Sequence, residues 1–231
     1  VALITGSATG VGAAAAIMLA ERGCNVVINY TRSKAEAEDT AQRCRDKGAD
    51  VIVFQGDVAD DAACQAMAQA AIARWDRIDY LINNAAKTKF NPYENLDGLS
   101  AEDFLAIYKV NVVGAYQMVR AVTPQMKKQG RGAIVNNSSI GGVTGIASSM
   151  AYAASKAALA AITRGLACEW AKDGIRVNLV APWYIDTPLA APVLARPGMI
   201  ERIRARTPLG RVGDATEVAR AIAFLLMPAS S

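Results

Sequence analysis

Short apolar runs alternate along this chain with longer stretches of helical spacing, and no other feature limits its possible folds so tightly. Runs at residues 1–5, 25–30, 51–55, 78–83, 132–138 and 175–181 are nearly continuous in apolar character, the pattern of strands buried on both faces. Between and after them the spacing predicts helices over 11–23, 33–48, 60–75, 100–129, 151–173 and 214–227. Gly23 and Gly48 are stop signals, and Ser33 and Ser100 are start signals. Glu102 and Asp103 suit the positive end of a helix, and Asp214 with Glu217 gives a capping-box pattern. Strand–helix alternation with right-handed crossovers predicts an α/β, doubly wound parallel sheet of Rossmann type, order 3-2-1-4-5-6. Ligands are then expected beyond the carboxyl ends of the strands, near the point where the strand order reverses.

The 231 residues suit one domain, 1–231, and no Pro-, Gly- or Ser-rich linker divides them. A 52% apolar composition supplies a sizeable core. The net charge of +4 comes without a basic cluster, so a nucleic-acid partner is not expected. Lys127, Lys128 and Arg131 read as partners of a helix dipole. The chain has no histidine, which excludes a histidine base, a Ser-His-Asp triad and a histidine metal ligand. Cys24, Cys44, Cys64 and Cys168 are scattered, which suits reduced thiols of a cytoplasmic protein better than a disulfide frame or a zinc site. No metal site is expected. No segment approaches the roughly 20 apolar residues of a membrane span. Val1 already lies within an apparent strand, so further residues upstream are expected.

Thr5-Gly6-Ser7-Ala8-Thr9-Gly10-Val11-Gly12 joins the first strand to the first helix. Gly6 permits a tight turn, Gly10 a close approach of a pyrophosphate, and Gly12 close packing of helix on sheet. Free N–H groups and the helix's positive end then face phosphates. The spacing is G-x-x-x-G-x-G rather than the commoner G-x-G-x-x-G, and an ordinary glycine-rich turn is the alternative. The second strand ends Asn29-Tyr30-Thr31-Arg32-Ser33, without the carboxylate that NAD-selective sites place there. Arg32, Thr31 and Ser33 suit a 2′-phosphate, so NADP(H) is favoured over NAD(H); a solvated loop arginine is the alternative. Asp57 after the third strand is placed to accept from an adenine amino group, or to cap the next helix.

Tyr152 and Lys156 stand at i and i+4, on one helix face. A phenol ionises near pH 10, and a neighbouring ammonium is expected to lower that value toward neutrality. The positive charge of an oxidised nicotinamide works in the same direction, and Lys156 can donate to the ribose hydroxyls beside that ring. The same spacing recurs from Tyr30 to Lys34, but that copy opens on a strand's last residue. Their surroundings separate them: thirteen residues before Tyr152 lies Ser139, whereas thirteen before Tyr30 lies Ile17. A hydroxyl beside the phenol can hold a substrate oxygen as charge develops there. Asn111 is a further polar group in the apolar stretch from Lys109 to Gly114, its alternatives an exposed helix position or a local backbone bond.

Taken in order, these pieces resemble the short-chain dehydrogenases/reductases over nearly the whole chain. The matching residues are Thr5-Gly6, Gly10 and Gly12, Asp57-Val58, Asn83-Asn84-Ala85, Asn111, Ser139, Tyr152 and Lys156, Asn178 with Ala181-Pro182, and Pro208-Leu209-Gly210-Arg211. Within the family the sequence is most similar to 3-oxoacyl-(acyl carrier protein) reductases and related carbonyl reductases. The resemblance implies that Tyr152 is the general acid in reduction and the base in oxidation, that Lys156 lowers its pKa and binds ribose, and that Ser139 holds the carbonyl oxygen. Asn111 is implied to fix a water that links Lys156 to solvent. Asn84, Ala85 and Ala86 are implied along the adenosine ribose, and Pro182, Ile185 and Thr187 beside the nicotinamide. The full set of expected dinucleotide contacts is Gly6, Ser7, Thr9, Gly10, Val11, Gly12, Tyr30, Thr31, Arg32, Ser33, Asp57, Val58, Asn84, Ala85, Ala86, Tyr152, Lys156, Pro182, Ile185 and Thr187.

Three departures stand out. The family's Asn-Asn-Ala-Gly becomes Asn83-Asn84-Ala85-Ala86, and its Pro-Gly after the sixth strand becomes Pro182-Trp183. The sequence stops at Ser231, where the family adds a last strand that commonly helps form a tetramer; either that strand is missing from this copy or it lies beyond these residues, and the resemblance implies a homo-oligomer, dimer or tetramer. The connection at about 183–207 is long, carries several prolines and is expected to form a lid over an apolar substrate. Its Arg196, Arg202, Arg204 and Arg206 suit an acyl carrier protein's acidic surface, or merely a solvated helix face. The expected activity is NADPH-dependent reduction of a ketone or 3-oxoacyl thioester. The alternatives are a non-catalytic dinucleotide sensor, which needs no proton donor, and a sugar-nucleotide epimerase or dehydratase, whose G-x-x-G-x-x-G and larger carboxyl-terminal domain are missing here.

Overall fold

The computed structural model describes residues 1–230. Its first half runs β1 (Ala2–Ile4), α1 (Gly10–Ala20), β2 (Val26–Tyr30), α2 (Lys34–Arg45), β3 (Val51–Gln55), α3 (Asp61–Trp75) and β4 (Tyr80–Asn83). Its second half runs α4 (Ala101–Tyr108), α5 (Ala115–Gln129), β5 (Gly132–Asn137), α6 (Gly141–Thr144), α7 (Met150–Trp170), β6 (Ile175–Val180), α8 (Ala191–Leu194), α9 (Met199–Ala205) and α10 (Ala215–Leu226). The strands form one six-stranded sheet in the order β3-β2-β1-β4-β5-β6, every pairing parallel, as the alternation of apolar runs and helices predicts.

Successive side chains of each strand point to opposite faces, so two cores form. Ala2, Ile4, Val26 and Ile28 pack on one face against α1, α2 and α10. Leu3, Val27, Leu81 and Ile134 pack on the other against α3, α5 and partly buried residues of α7. Burial on both faces is why the strands read as unbroken apolar runs. Helix starts follow the sequence closely. Ser100 and Asp103 bond reciprocally at the start of α4, as do Asp214 and Glu217 at the start of α10. Asp57 is not a cap: the N-cap of α3 is Asp60, which accepts from the Ala62 N–H at 3.0 Å.

The short helices α6, α8 and α9 carry no sequence expectation, and one predicted helix is broken. The single helix predicted over 100–129 is interrupted by a π-helical stretch, Lys109–Gly114, between α4 and α5. The wider turn rotates Asn111 inward, and it is 2% exposed rather than a surface residue. Lys127, expected to serve the dipole of α5, also pairs with Asp173 at 2.8 Å and lies over the Trp170 ring.

Candidate active site

A crevice opens at the carboxyl edge, where β1 and β4 send their following helices to opposite faces of the sheet. Side chains fasten its floor to the strand ends. Asn29 accepts from the Gly6 N–H at 3.0 Å and donates to the Gly56 carbonyl at 2.9 Å, so one amide ties together the ends of three strands. The Thr5 hydroxyl accepts from the Asn84 and Ala85 N–H groups at 2.9 and 3.0 Å. Asn84 returns two bonds, to the carbonyls of Thr5 and Gly6.

The glycine turn is shaped by this crowding. Gly6 has φ +60°, and a Cβ there would lie 2.9 Å from the Ala85 Cα. A Cβ on Gly12 would lie 2.6 Å from the Gly6 carbonyl oxygen, so this glycine sets how closely α1 meets the turn. No side chain caps the N-terminus of α1. Its first N–H groups are thus the natural partners of an anion laid across Gly10, and the cradle suits the pyrophosphate of a dinucleotide.

Of the residues singled out by sequence, Gly6, Thr9, Gly10, Val11, Tyr30, Thr31, Arg32, Ser33, Asp57, Val58, Asn84, Ala85, Ala86, Tyr152, Lys156 and Thr187 line this one crevice, of about 590 Å³. Ser7 and Gly12 do not. Ser7 is fully buried beneath the turn, donating to the Ile4 carbonyl at 2.7 Å and accepting from the Asn29 N–H at 2.9 Å. Ser139, Pro182 and Ile185 line an adjoining cavity, and Val11, Tyr152 and Thr187 are shared between the two. The Tyr30 phenol and Lys34 do not form a second such pair, since Tyr30 ends β2 and Lys34 opens α2.

Tyr152 sits in the first turn of α7, whose N-cap Ser149 accepts from the Tyr152 N–H. One turn on, Lys156 is 2% exposed. Its ammonium donates to the Asn137 carbonyl at the end of β5 at 2.7 Å and stands 5.5 Å from the Tyr152 ring centre. Burial pushes the Tyr152 phenol up to about 12, and the Ser139 hydroxyl pulls it the other way. Burial also brings Lys156 down to about 8. In the protein by itself desolvation outweighs the pull of Ser139, and the expected lowering rested on Lys156 together with the positive charge of an oxidised nicotinamide.

Asn111 reaches this pair through a third residue. Its amide accepts from the Lys87 N–H at 2.8 Å and donates to the Lys87 carbonyl and the Ser155 hydroxyl at 3.0 and 2.9 Å. Ser155 in turn donates to the Tyr152 carbonyl at 2.7 Å. The side chain of Asn111 is thus fully engaged with protein partners. Sequence reasoning missed Ser155, Lys87 and Asn137. Asn137 lines both cavities, donates to Asn84 Oδ1 at 2.9 Å, and leaves its own Oδ1 buried with no protein partner. The only sequence signal was the Asn136-Asn137 pair closing an otherwise apolar strand, next to the Ser138-Ser139 pair. Among the described residues no group of three His, Cys, Asp or Glu side chains is placed to hold a metal.

This fold and these residues define a nicotinamide-dependent oxidoreductase. The family profile described as Enoyl-(Acyl carrier protein) reductase matches residues 6–231, and the chain belongs to the short-chain dehydrogenase/reductase family. It is 39% identical to a cis-4-hydroxycyclohexanecarboxylate dehydrogenase of Sinomonas cyclohexanicum, covering 100% of this chain and 90% of the relative. It is 34% identical to a 3-oxoacyl-[acyl-carrier-protein] reductase of Staphylococcus aureus, over 97% of this chain and 89% of the relative. Among solved structures, a gluconate 5-dehydrogenase from Burkholderia cenocepacia J2315 in complex with NADP and tartrate superposes with TM-score 0.91 at 35% identity, covering 99% of this chain and 88% of that one. An NAD⁺-bound xylitol dehydrogenase superposes with TM-score 0.89 at 31% identity, covering 99% and 92%.

Proposed function

We propose that this chain catalyses NADPH-dependent reduction of a ketone or 3-oxoacyl thioester to the corresponding secondary alcohol. The observation that carries this reading is the meeting of Ser139, Tyr152 and Lys156 where a dinucleotide-sized crevice joins a smaller cavity lined by no charged side chain. In it, Tyr152 donates the proton that the carbonyl oxygen takes up, and withdraws it in the reverse direction. Ser139 holds that oxygen while charge grows on it. Lys156, kept in place by the Asn137 carbonyl, presents its remaining N–H donors to a ribose in the crevice. Asn111 positions Tyr152 through Ser155 and fixes the Lys87 backbone at the crevice wall. The bound cofactor supplies the hydride and, once oxidised, a positive charge beside the phenol.

NADP(H) is the cofactor this reading favours, because Thr31, Arg32 and Ser33 line the crevice and no carboxylate ends β2. The segment at 183–207, with α8 and α9, serves as the lid of a single catalytic domain. Arg202 and Arg204 on α9 are exposed, which favours an acyl carrier protein as the thioester's carrier. Four free cysteines suit a cytoplasmic location, and a homo-oligomer is the expected assembly. The test is NADPH oxidation, followed by loss of the reduced nicotinamide's absorbance, with a panel of ketones and 3-oxoacyl thioesters. Turnover that Tyr152→Phe abolishes supports the reading. A protein that binds NADPH and turns over no panel member is instead a sensor.

A further inference from the structure

The cavity beside Ser139 and Tyr152 has no charged side chain in its lining, and its volume is about 140 Å³. A closed cavity of about 150 Å³ takes a benzene-sized guest; this one opens on the crevice and carries hydroxyls and amides among its apolar groups, so its volume bounds the part of a substrate that enters it. Trp183 is part of this lining and is not free to swing away. Its indole N–H donates to the Thr207 hydroxyl at 3.2 Å, and that hydroxyl donates to the Ile203 carbonyl of α9 at 2.7 Å. The Tyr184 ring meets the indole edge-on at 4.7 Å. The nearby hydroxyls of Thr88 and Ser148 are bonded to each other at 2.6 Å. A carboxylate next to the reacting carbonyl would give up part of its water here and find no cation in the cavity's lining.

We infer that the substrate presents an uncharged ketone of about six-membered-ring size to Tyr152, and that Trp183 sets the size limit. This rests on the reductase reading above and narrows its substrate class. The reaction is balanced: hydride from NADPH goes to the carbonyl carbon, the C=O π electrons move to oxygen, and Tyr152 gives that oxygen its proton. The products are the secondary alcohol and NADP⁺, and solvent re-protonates the phenol.

Two matched pairs of ketones test it, on the wild type, Trp183→Phe and Trp183→Gly. Benzoylformate and its methyl ester differ in charge, and cyclohexanone and the bicyclic decalone differ in size. The wild type is expected to prefer the methyl ester and cyclohexanone, each by at least about tenfold in kcat/KM. Trp183→Gly is expected to shift the decalone-to-cyclohexanone ratio toward decalone by at least about tenfold, with Trp183→Phe between and NADPH affinity unchanged by fluorescence titration. Equal or better use of benzoylformate, or an unmoved size ratio, overturns the inference and leaves the reductase reading intact. Calorimetric binding of cyclohexanone to the NADPH-loaded protein needs no turnover. Binding that Trp183→Gly weakens, with no ketone reduced by any variant, defeats the reductase reading and leaves the cavity assignment standing. Absence of cyclohexanone binding and of turnover overturns both.

Discussion

The Lys156 ammonium stands 5.5 Å from the centre of the Tyr152 ring, while its close bond, at 2.7 Å, goes to the end of β5. The lysine is therefore a buried cation held by a main-chain dipole, and its charge is costly. Burial brings it from 10.5 to about 8. Between those two values the unfolded lysine keeps a proton that the folded one has released, so stability rises with pH through that window. At pH 7 both forms are charged and the whole cost is felt. At about 1.4 kcal/mol per pH unit, the window is worth about 3 kcal/mol. Urea unfolding of the wild type and Lys156→Met across pH 7 to about 10.5 is expected to show the wild type gaining by that amount relative to the variant. A difference that stays flat with pH rules out a strained buried ammonium.

Ser139 is the protein group that works against the rise in the Tyr152 pKa. Removing its hydroxyl leaves burial unopposed, so the phenol of Ser139→Ala holds its proton more tightly. Reduction needs the protonated phenol and is expected to lose about 10²-fold in kcat through loss of the carbonyl's donor alone. Alcohol oxidation needs the phenolate, so its alkaline rise moves to higher pH as well. Rate–pH profiles in both directions separate the two effects. An oxidation profile unmoved in Ser139→Ala shows that Ser139 does not tune the phenol.

Arg32 is exposed at the end of β2 and borders the crevice beside Thr31 and Ser33. A guanidinium there gains most from a doubly charged phosphate and little from a ribose hydroxyl. Arg32→Ala is expected to raise the Kd for NADPH about 10- to 100-fold while leaving NADH within about threefold. Fluorescence titration of both cofactors checks this. Equal losses mean that Arg32 acts on something the two cofactors share.

The sheet was legible because its strands are buried on both faces and carry an unbroken apolar signal, and all six appear in the predicted order. The residues around Gly10, Tyr152 and Lys156 were legible because turn and helix spacings place them at strand ends. What sequence did not disclose depends on tertiary packing. The π-helical stretch at Lys109–Gly114 holds weak helix formers (Val110, Asn111, Val112, Val113 and Gly114), but weak propensity does not tell a π-helical turn from an ordinary one. The upward push of burial on the Tyr152 phenol was not legible for a related reason: spacing places an ammonium nearby, but says nothing of how much water the fold removes. Asn137 escaped notice because an asparagine at a strand end is unremarkable until its Oδ1 is found buried and unpartnered.

Asn111 joins two segments that no secondary-structure ladder connects. Its amide satisfies both the N–H and the carbonyl of Lys87 on the crevice wall, and donates to Ser155 one turn below Tyr152. Asn111→Leu keeps the volume but takes the side-chain partner from the N–H and the carbonyl of Lys87, while the Ser155 hydroxyl loses one bond and keeps the one to the Tyr152 carbonyl. Each unsatisfied group costs about 1–3 kcal/mol, and solvent reaching the Lys87 backbone offsets part of that. A net loss of about 2–4 kcal/mol is expected in denaturant unfolding. Asn111→Asp keeps the acceptor for the Lys87 N–H but, once ionised, loses both donations and faces the Lys87 carbonyl with a charge, so a larger loss is expected at neutral and alkaline pH than in acid, where the protonated carboxyl still donates. The catalytic consequence is distinct from the structural one: with the Ser155–Tyr152 link loosened, kcat is expected to fall while the Kd for NADPH at temperatures well below Tm changes little. A variant with wild-type stability and kcat shows that the π-helical turn, not the Asn111 amide, holds this side of the site together.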